Sequence, residues 1–216
     1  MVNSVESMEV DEDTVDNGDI NNFLEALENN LTKQIEPTGD CFYDCIVTAF
    51  EMEEKDVREF SDVIKDEKDD KVKALRRTAA MSLTPEMFES FKMSHQAGLK
   101  DYSFMSEMSS LKMLQEKMME SGREVGAGNA LWANEFEINA VCRVLHICCL
   151  VWDSSARKET DKLLRVGEEA KEFIIVKKVG EHYNLIYRED ENGIERGVFT
   201  RNDLSEEALG YWGVDT

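Results

Sequence analysis

Apolar residues recur at helical spacing through the first two thirds of the chain. The strongest run predicts a helix from Cys41 to about Glu53, because its apolar positions share one face: Phe42, Cys45, Ile46, Ala49 and Phe50. A second strong run predicts a helix from Trp132 to Leu145, ended by His146. Weaker signals predict four further helices. The first two are Asn22 to Asn30, with Leu31 on its apolar side, and Val57 to Ile64, which follows the cap Asp56. The third is marked by Val72, Leu75, Ala79 and Leu83, and the fourth begins at Thr84-Pro85.

The segment from Gln96 to Asn129 has a less regular pattern. Its part from Ser103 to Glu120 is helical in composition and rich in methionine, and the glycines 122, 126 and 128 predict a loop after it. The methionines fit two interpretations, a helical core or an adaptable binding surface: Met105, Met108, Met113, Met118 and Met119.

Strands are predicted in the last third of the chain. The six apolar residues from Ile147 to Trp152 suit a central strand that is buried on both faces. Phe173 to Val176 and His182 to Tyr187 predict a hairpin around the turn Gly180-Glu181, and Arg196 to Thr200 is one more candidate strand. Residues 153–172 read as a polar connection, and residues 204–212 as a closing segment. Helices first and strands late predict an α+β fold, in which helices pack on a small central sheet.

Length and composition indicate one globular domain with an acidic tail. The chain has 216 residues, and the domain is predicted to span residues 21–216. Residues 1–20 hold seven acidic side chains and no Lys or Arg, which predicts a disordered tail.

The five cysteines indicate a reducing compartment. Their number is odd, two are adjacent in an apolar run, and the sequence shows neither a secretion signal nor an apolar stretch of the ~20 residues that a membrane span needs. We therefore expect free thiols and a cytoplasmic protein without a membrane association, with the nucleus or delivery into a host cell left open.

The net charge of −21 bears on the partner. It argues against nucleic acid, because phosphate binding needs clustered Lys and Arg. It favours a basic protein partner, or it serves solubility alone. A monomer is expected.

The turn Pro37-Thr38-Gly39-Asp40 delivers Cys41 to the first position of its helix. Gly39 permits a positive φ, and Asp40 favours a turn or a helix cap. At a helix N-terminus, unpaired N–H groups and the positive end of the macrodipole lower a thiol pKa and favour a thiolate nucleophile. The same pattern also fits a small buried core cysteine, and the turn alone does not separate the two interpretations.

The chain offers few candidate bases, since it has three histidines. His95 lies in a polar segment and His146 between two apolar elements, where a structural role is expected. His182 opens a strand after a Gly-Glu turn, which places its ring at the rim of the sheet. Asn184 lies two residues further on, so both side chains point to one face of the strand, and Asn184 can orient the imidazole.

Two other interpretations of the cysteines are weaker. A metal site at Cys142, His146, Cys148 and Cys149 conflicts with adjacent cysteines pointing to opposite faces of a strand, so no metal and no cofactor are expected. A redox pair of Cys41 and Cys45 lacks the Cys-x-x-Cys spacing.

Three blocks together resemble the ovarian tumour (OTU) family of papain-like cysteine deubiquitinases. They are Gly39-Asp40-Cys41-Phe42-Tyr43-Asp44, the helix block that starts at Trp132-Ala133-Asn134-Glu135, and His182-Tyr183-Asn184-Leu185-Ile186. The blocks stand in the family's order, and the resemblance covers about residues 34 to 190.

The resemblance implies a papain-like, OTU-type fold with the nucleophile at a helix N-terminus, and a thiol isopeptidase that hydrolyses the bond after the last Gly of ubiquitin or a ubiquitin-like modifier. Cys41 would be the nucleophile, His182 the general base and Asn184 the orienting residue. The backbone N–H groups of Thr38, Gly39, Asp40 and Cys41 would form the oxyanion hole. Ubiquitin or polyubiquitin would be the partner, and these residues would contact it: Trp132, Asn134, Glu135, Met108 and Tyr183.

The sequence departs from the family pattern at three places. Thr38 replaces an Asp, Ala133-Asn134 replaces Gly-Gly, and Asn184 stands where many members have Asp. The departures at Thr38 and at Ala133-Asn134 motivate a rival hypothesis, a catalytically weak or inactive ubiquitin-binding module. The presence of both Cys41 and His182 argues against it. A papain-like hydrolase with another substrate is a third hypothesis.

Overall fold

Helices form the first part of the chain and strands the second, as the periodicity predicts. The structure is a computed structural model that describes residues 31–57, 70–157, 162–167 and 170–214. The predicted acidic tail, the predicted helix Asn22 to Asn30 and most of the predicted helix Val57 to Ile64 lie outside these residues. Leu31, expected on the side of a helix, lies instead in a strand.

Seven α-helices lie within the described ranges. They are α1 (Cys41–Met52), α2 (Lys71–Met81), α3 (Pro85–Gln96), α4 (Leu111–Met119), α5 (Gly122–Val125), α6 (Glu135–Leu145) and α7 (Glu206–Tyr211). Lys100–Glu107, between α3 and α4, and Arg201–Asp203, just before α7, are 3₁₀ segments.

The strands of the described ranges form one mixed sheet. They are β1 (Leu31–Lys33), β2 (Cys148–Asp153), β3 (Leu163–Val166), β4 (Glu172–Val179), β5 (His182–Glu189), β6 (Glu195–Arg196) and β7 (Phe199–Thr200). The main order is β1-β5-β4-β2-β3, with β6 beside β5 and β7 beside β4. β2 and β4 are parallel, and the other pairs are antiparallel.

The sheet is covered on both faces, which explains the fully apolar sequence of β2. Cys149 and Val151 pack into the large core with the helices α1, α2, α4 and α6, while Cys148, Leu150 and Trp152 pack into a smaller core with α7. The predicted α+β class with a small sheet flanked by helices, and with Cys41 opening a helix, is confirmed. Within the described ranges, no helix is long and apolar enough to cross a bilayer.

Several predicted boundaries need correction. The helix predicted from Trp132 begins at Glu135, because Asn134 caps it: the Asn134 side chain accepts from the Phe136 N–H at 2.8 Å. The glycine loop starts with the short helix α5. The stretch 103–120 is a 3₁₀ segment and a separate helix α4.

The second half also holds corrections. The polar connection contains the strand β3, which pairs antiparallel with β2. The single strand predicted over residues 196–200 is two short pieces on different neighbours, β6 on β5 and β7 on β4.

Candidate active site

The turn before α1 has a fixed backbone conformation. Gly39 has a φ of +91°, the left-handed region that favours glycine. The Thr38 hydroxyl Oγ1 accepts from the Asp40 N–H at 3.3 Å, an i to i+2 contact of the kind that Ser and Thr make in turns. Thr38 therefore supports the turn with its own side chain.

The thiol of Cys41 lies between α1 and β5. Its Sγ accepts from the Tyr183 N–H at 3.4 Å, so the sulfur contacts the peptide bond that follows His182. Cys41 is 1% exposed and belongs to the large core. Burial raises the pKa of the thiol, and the N–H groups of Tyr183, Phe42 and Cys41 oppose that rise without cancelling it. The helix N-terminus thus does not lower the pKa below its ordinary value, contrary to the expectation from the sequence.

His182 and Asn184 are hydrogen-bonded to each other. The His182 Nε2 lies 3.1 Å from the Asn184 Oδ1, and the same oxygen accepts from the Ile35 N–H at 3.0 Å. Because a backbone N–H is a donor, it identifies the Asn184 atom as the carbonyl oxygen, and the facing imidazole nitrogen must then carry a proton. The neutral ring is therefore protonated on Nε2 and has its lone pair on Nδ1. Nδ1 is buried and has no hydrogen-bond partner among the described residues.

The Asp40 side chain does not cap α1. Its carboxylate is buried and accepts from the Arg76 Nε at 2.6 Å, the Ser121 hydroxyl at 2.8 Å, and the N–H groups of Gly122 and Arg123 at 3.0 and 3.1 Å. Burial alone would raise the pKa of Asp40, but these donors outweigh it and hold the pKa below the ordinary value. All four partners are donors, so the ionised carboxylate fits this position.

Arg76 lies behind the same turn. Its side chain is 1% exposed, and besides Asp40 it donates to the carbonyl oxygen of Gly39 at 2.7 Å and to those of Met118 and Leu131 at 3.1 Å. Its guanidinium lies 4.6 Å from the centre of the Tyr43 ring. One side chain thereby joins α2 to the nucleophile turn, to the end of α4 and to the segment before α6.

Gly122 approaches the turn so closely that no larger residue fits. A Cβ built on Gly122 would lie 1.8 Å from the Thr38 carbonyl oxygen. The N–H of Gly122 meanwhile donates to Asp40. α5 therefore supports the turn through backbone contacts.

The four backbone amides proposed from the sequence as an oxyanion hole differ in their partners. The Thr38 N–H donates to the Glu36 carbonyl oxygen at 2.8 Å, and the Asp40 N–H to Thr38 Oγ1. The N–H groups of Gly39 and Cys41 have no backbone or side-chain oxygen acceptor among the described residues.

The residues predicted to contact a substrate have different environments. Tyr183 is buried: its ring packs edge-on against Phe42, and its hydroxyl donates to the Ala133 carbonyl oxygen at 3.4 Å. Trp132 is half-buried and donates to the Ala127 carbonyl oxygen at 3.2 Å. Glu135 is exposed at the start of α6.

The methionines divide between the two interpretations of the sequence. Met105 and Met118 are buried in the large core, and Met108 and Met119 pack against its edge. Met113 is exposed, together with Met87 and Met93 of α3.

The remaining cysteines are Cys45, Cys142, Cys148 and Cys149. All five thiols are free and buried. No group of three His, Cys, Asp or Glu side chains in the described ranges is placed to hold a metal ion.

A cysteine at a helix N-terminus beside a His–Asn pair on a strand is the arrangement of papain-like cysteine hydrolases. No family profile matches the sequence, and no curated protein matches it. The chain is similar to solved OTU domains, the family that its three sequence blocks resemble.

Three of these structures illustrate the similarity. An OTU domain in complex with ubiquitin is 13% identical, with 85% of this chain and 83% of that chain covered and a TM-score of 0.47. The Hazara virus OTU bound to ubiquitin is 15% identical, with 74% and 82% covered and a TM-score of 0.42. An OTU deubiquitinase from Wolbachia pipientis wMel is 16% identical, with 85% and 96% covered and a TM-score of 0.41.

Sequence reasoning missed the residues that hold the turn from behind, namely Arg76, Ser121 and Gly122, and it missed Ile35, whose N–H donates to Asn184. Arg76 had a usable signal. It lies four residues after Val72, so the periodic pattern places a charged residue within the apolar stripe of α2, where it needs a buried partner. Ser121, Gly122 and Ile35 carried no comparable signal, because they act through contacts between distant segments.

Proposed function

We propose that this protein is a thiol isopeptidase that hydrolyses the bond after the C-terminal Gly of ubiquitin or a ubiquitin-like modifier. The observation that carries the proposal is the tautomer of His182. Ile35 and Asn184 hold the ring with its proton on Nε2, which leaves the lone pair of Nδ1 without a partner. His182 directly precedes Tyr183, whose N–H contacts the Cys41 thiol. A core histidine would be expected to use both nitrogens.

In the first half of the reaction, His182 Nδ1 takes the proton of the Cys41 thiol. The thiolate then attacks the carbonyl carbon of the terminal Gly, and the carbonyl oxygen becomes an oxyanion. When the C–N bond breaks, the imidazolium gives its proton to the lysine amine that leaves. A thioester between Cys41 and the modifier remains.

In the second half, water hydrolyses the thioester. His182 Nδ1 accepts a proton from the water as its oxygen attacks the same carbonyl carbon, and the C–S bond breaks. The proton returns to the sulfur, and the modifier leaves with a free carboxyl group, which loses the second proton of the water to solvent. Asn184 is uncharged, so it orients the imidazolium through its oxygen without offsetting the positive charge.

The oxyanion would be bound by backbone N–H groups of the nucleophile turn. Those of Gly39 and Cys41 are available as they stand. The Asp40 N–H would join them once the Thr38 hydroxyl rotates away from its 3.3 Å contact.

The substrate class follows from the resemblance of the three sequence blocks to OTU deubiquitinases. The acidic chain suits a basic partner, because opposite charge speeds encounter and aligns the two surfaces. The exposed Glu135 and the half-buried residues Trp132, Asn134 and Met108 would contact the modifier. Tyr183 would act through the hydrogen bond from its backbone N–H to the Cys41 thiol.

The raised pKa of the Cys41 thiol favours the rival function, a module that binds ubiquitin without cleaving it. In that case the buried Cys41 thiol would stay protonated, and His182 would take no proton from it. The retained Cys41, His182 and Asn184 and the unpartnered Nδ1 favour the isopeptidase.

Ubiquitin that carries a C-terminal electrophile tests the proposal. We expect a covalent adduct, detected as a mass increase of the intact protein, which Cys41→Ala abolishes and which Cys45→Ala leaves unchanged. Binding of ubiquitin without an adduct would support the non-catalytic module. If ubiquitin neither binds to the protein nor labels it, both functions are contradicted. A cysteine hydrolase with another substrate would then remain.

A further inference from the structure

Arg76 uses all of its hydrogen-bonding capacity near the nucleophile turn. Its guanidinium has five N–H donors, and five contacts are present: to Asp40 Oδ1, to the carbonyl oxygen of Gly39, to that of Met118, and two to that of Leu131. Two of these contacts hold the Gly39-Asp40 peptide: one is to the carbonyl oxygen of Gly39, and the other is to the side-chain carboxylate of Asp40. The other contacts attach the guanidinium to segments remote from the turn.

The side from which Arg76 approaches the turn determines where the N–H of the Gly39-Asp40 peptide points. Arg76 lies against the Tyr43 ring, and successive helix positions are about 100° apart, so Tyr43 and Cys41 point to nearly opposite sides of α1. Arg76 therefore reaches the turn from the side opposite the thiol. In a trans peptide the C=O and N–H groups point in opposite directions, and no peptide bond in the described ranges is cis. A Gly39 carbonyl that faces Arg76 thus turns the Asp40 N–H away from Arg76, and this N–H donates to the Thr38 hydroxyl at 3.3 Å until that hydroxyl rotates.

A different orientation of this peptide would be costly. If the Gly39 carbonyl turned away, a buried guanidinium N–H would lose its acceptor. Asp40 is 0% exposed and keeps the same guanidinium in place by an ion pair. Lysine could keep the charge but not the planar fork that binds the carboxylate and the carbonyl together.

We infer that Arg76 is a positioning residue for the reaction, which fixes the direction of the Asp40 amide as an oxyanion donor through the Gly39 carbonyl and the Asp40 carboxylate. This inference rests on the proposed function, since an oxyanion forms only if Cys41 attacks a carbonyl. Arg76 does not touch the substrate. Within the reaction, it acts on the stabilisation of the tetrahedral intermediate.

Two reactions of Cys41 separate this role from general support of the fold. Hydrolysis of ubiquitin with a C-terminal fluorophore passes through an oxyanion, whereas alkylation of the thiol by iodoacetamide does not. We expect Arg76→Lys to lower kcat by about 10²-fold, the usual effect of a lost oxyanion donor, with KM and the alkylation rate close to those of the wild type. Arg77→Lys, the same change at an exposed position of α2, is the matched control and should leave all three values unchanged.

The outcomes are distinct. Equal losses in kcat and in alkylation rate, or an unchanged kcat, would overturn the inference. If Arg76→Lys shows no cooperative unfolding transition, Ser121→Ala takes its place, because it removes one neutral donor from Asp40 and leaves both charges. It should lower kcat severalfold with alkylation unchanged, and an unchanged kcat would again overturn the inference. A wild-type protein that does not hydrolyse the substrate at all would contradict the proposed function, and this inference with it.

Discussion

The contact between Gly122 and the nucleophile turn gives a prediction whose size follows from the structure. In Gly122→Ala, the new Cβ would lie 1.8 Å from the Thr38 carbonyl oxygen and 2.8 Å from its carbon. Real Cβ atoms essentially never approach closer than 3.0 Å, so the oxygen and the Cβ must separate by about 1.2 Å, the difference between 3.0 Å and 1.8 Å. Both groups belong to backbone, so the turn itself has to move.

That displacement should act on catalysis and on folding by similar free energies, because a 10²-fold loss of rate corresponds to about 2.7 kcal/mol. A shift of about 1 Å in a reacting group costs on the order of 10²-fold in rate, whereas overpacking costs about 1–3 kcal/mol of stability. We expect Gly122→Ala to reduce kcat for ubiquitin with a C-terminal fluorophore by about 10²-fold, while urea unfolding remains cooperative. The matched control is Gly128→Ala, whose Cβ has no neighbour within 4 Å. Wild-type activity in Gly122→Ala would refute the claim that α5 holds the turn rigidly, and so would an equal loss in the control.

Three further predictions concern the proposed triad and a buried acid. Burial raises the pKa of Cys41, so alkylation of Cys41 in His182→Ala should become fast only above the ordinary thiol pKa. The wild type should react at lower pH, because His182 takes the proton. Identical pH profiles of the two proteins would contradict this activation by His182. Asn184→Ala removes the oxygen that fixes the imidazole and should lower kcat by about 10²-fold or more, whereas Asn184→Asp keeps an acceptor and should retain activity; equal effects would contradict the orienting role. Burial raises the pKa of Glu137 from 4.5 to about 7, so the folded state binds the proton more tightly and stability should fall as pH rises through this window. Glu137→Gln should remove that decline, up to about 3 kcal/mol in urea unfolding between pH 5 and pH 8.

The turn shows where local sequence sufficed. Pro37, Gly39 and the apolar spacing after Cys41 predicted a tight turn into a helix, and Gly39 has the positive φ that this requires. Thr84 and Pro85 likewise predicted the start of α3, where the Thr84 hydroxyl accepts from the Met87 N–H at 3.3 Å. Such features depend on a few consecutive residues, so one stretch of sequence contains their causes.

The pKa of Cys41 shows where local sequence failed. The position at a helix N-terminus predicted a lowered pKa, because the nearby N–H groups are a property of the helix itself. Burial has the larger effect and raises the pKa. Burial depends on what packs over α1, including β5, which is more than a hundred residues away in the chain.

By itself, the sequence determined the α+β class, the main helices and the hairpin, and the three residues Cys41, His182 and Asn184 as candidates. Periodicity and turn chemistry are short-range, so these inferences needed no contacts between distant segments. Only the tertiary structure decided that Ile35 fixes the His182 tautomer and that Arg76, Asp40 and Gly122 hold the nucleophile turn. These contacts join residues far apart in the chain, and their geometry exists only once the sheet and the helices have packed together.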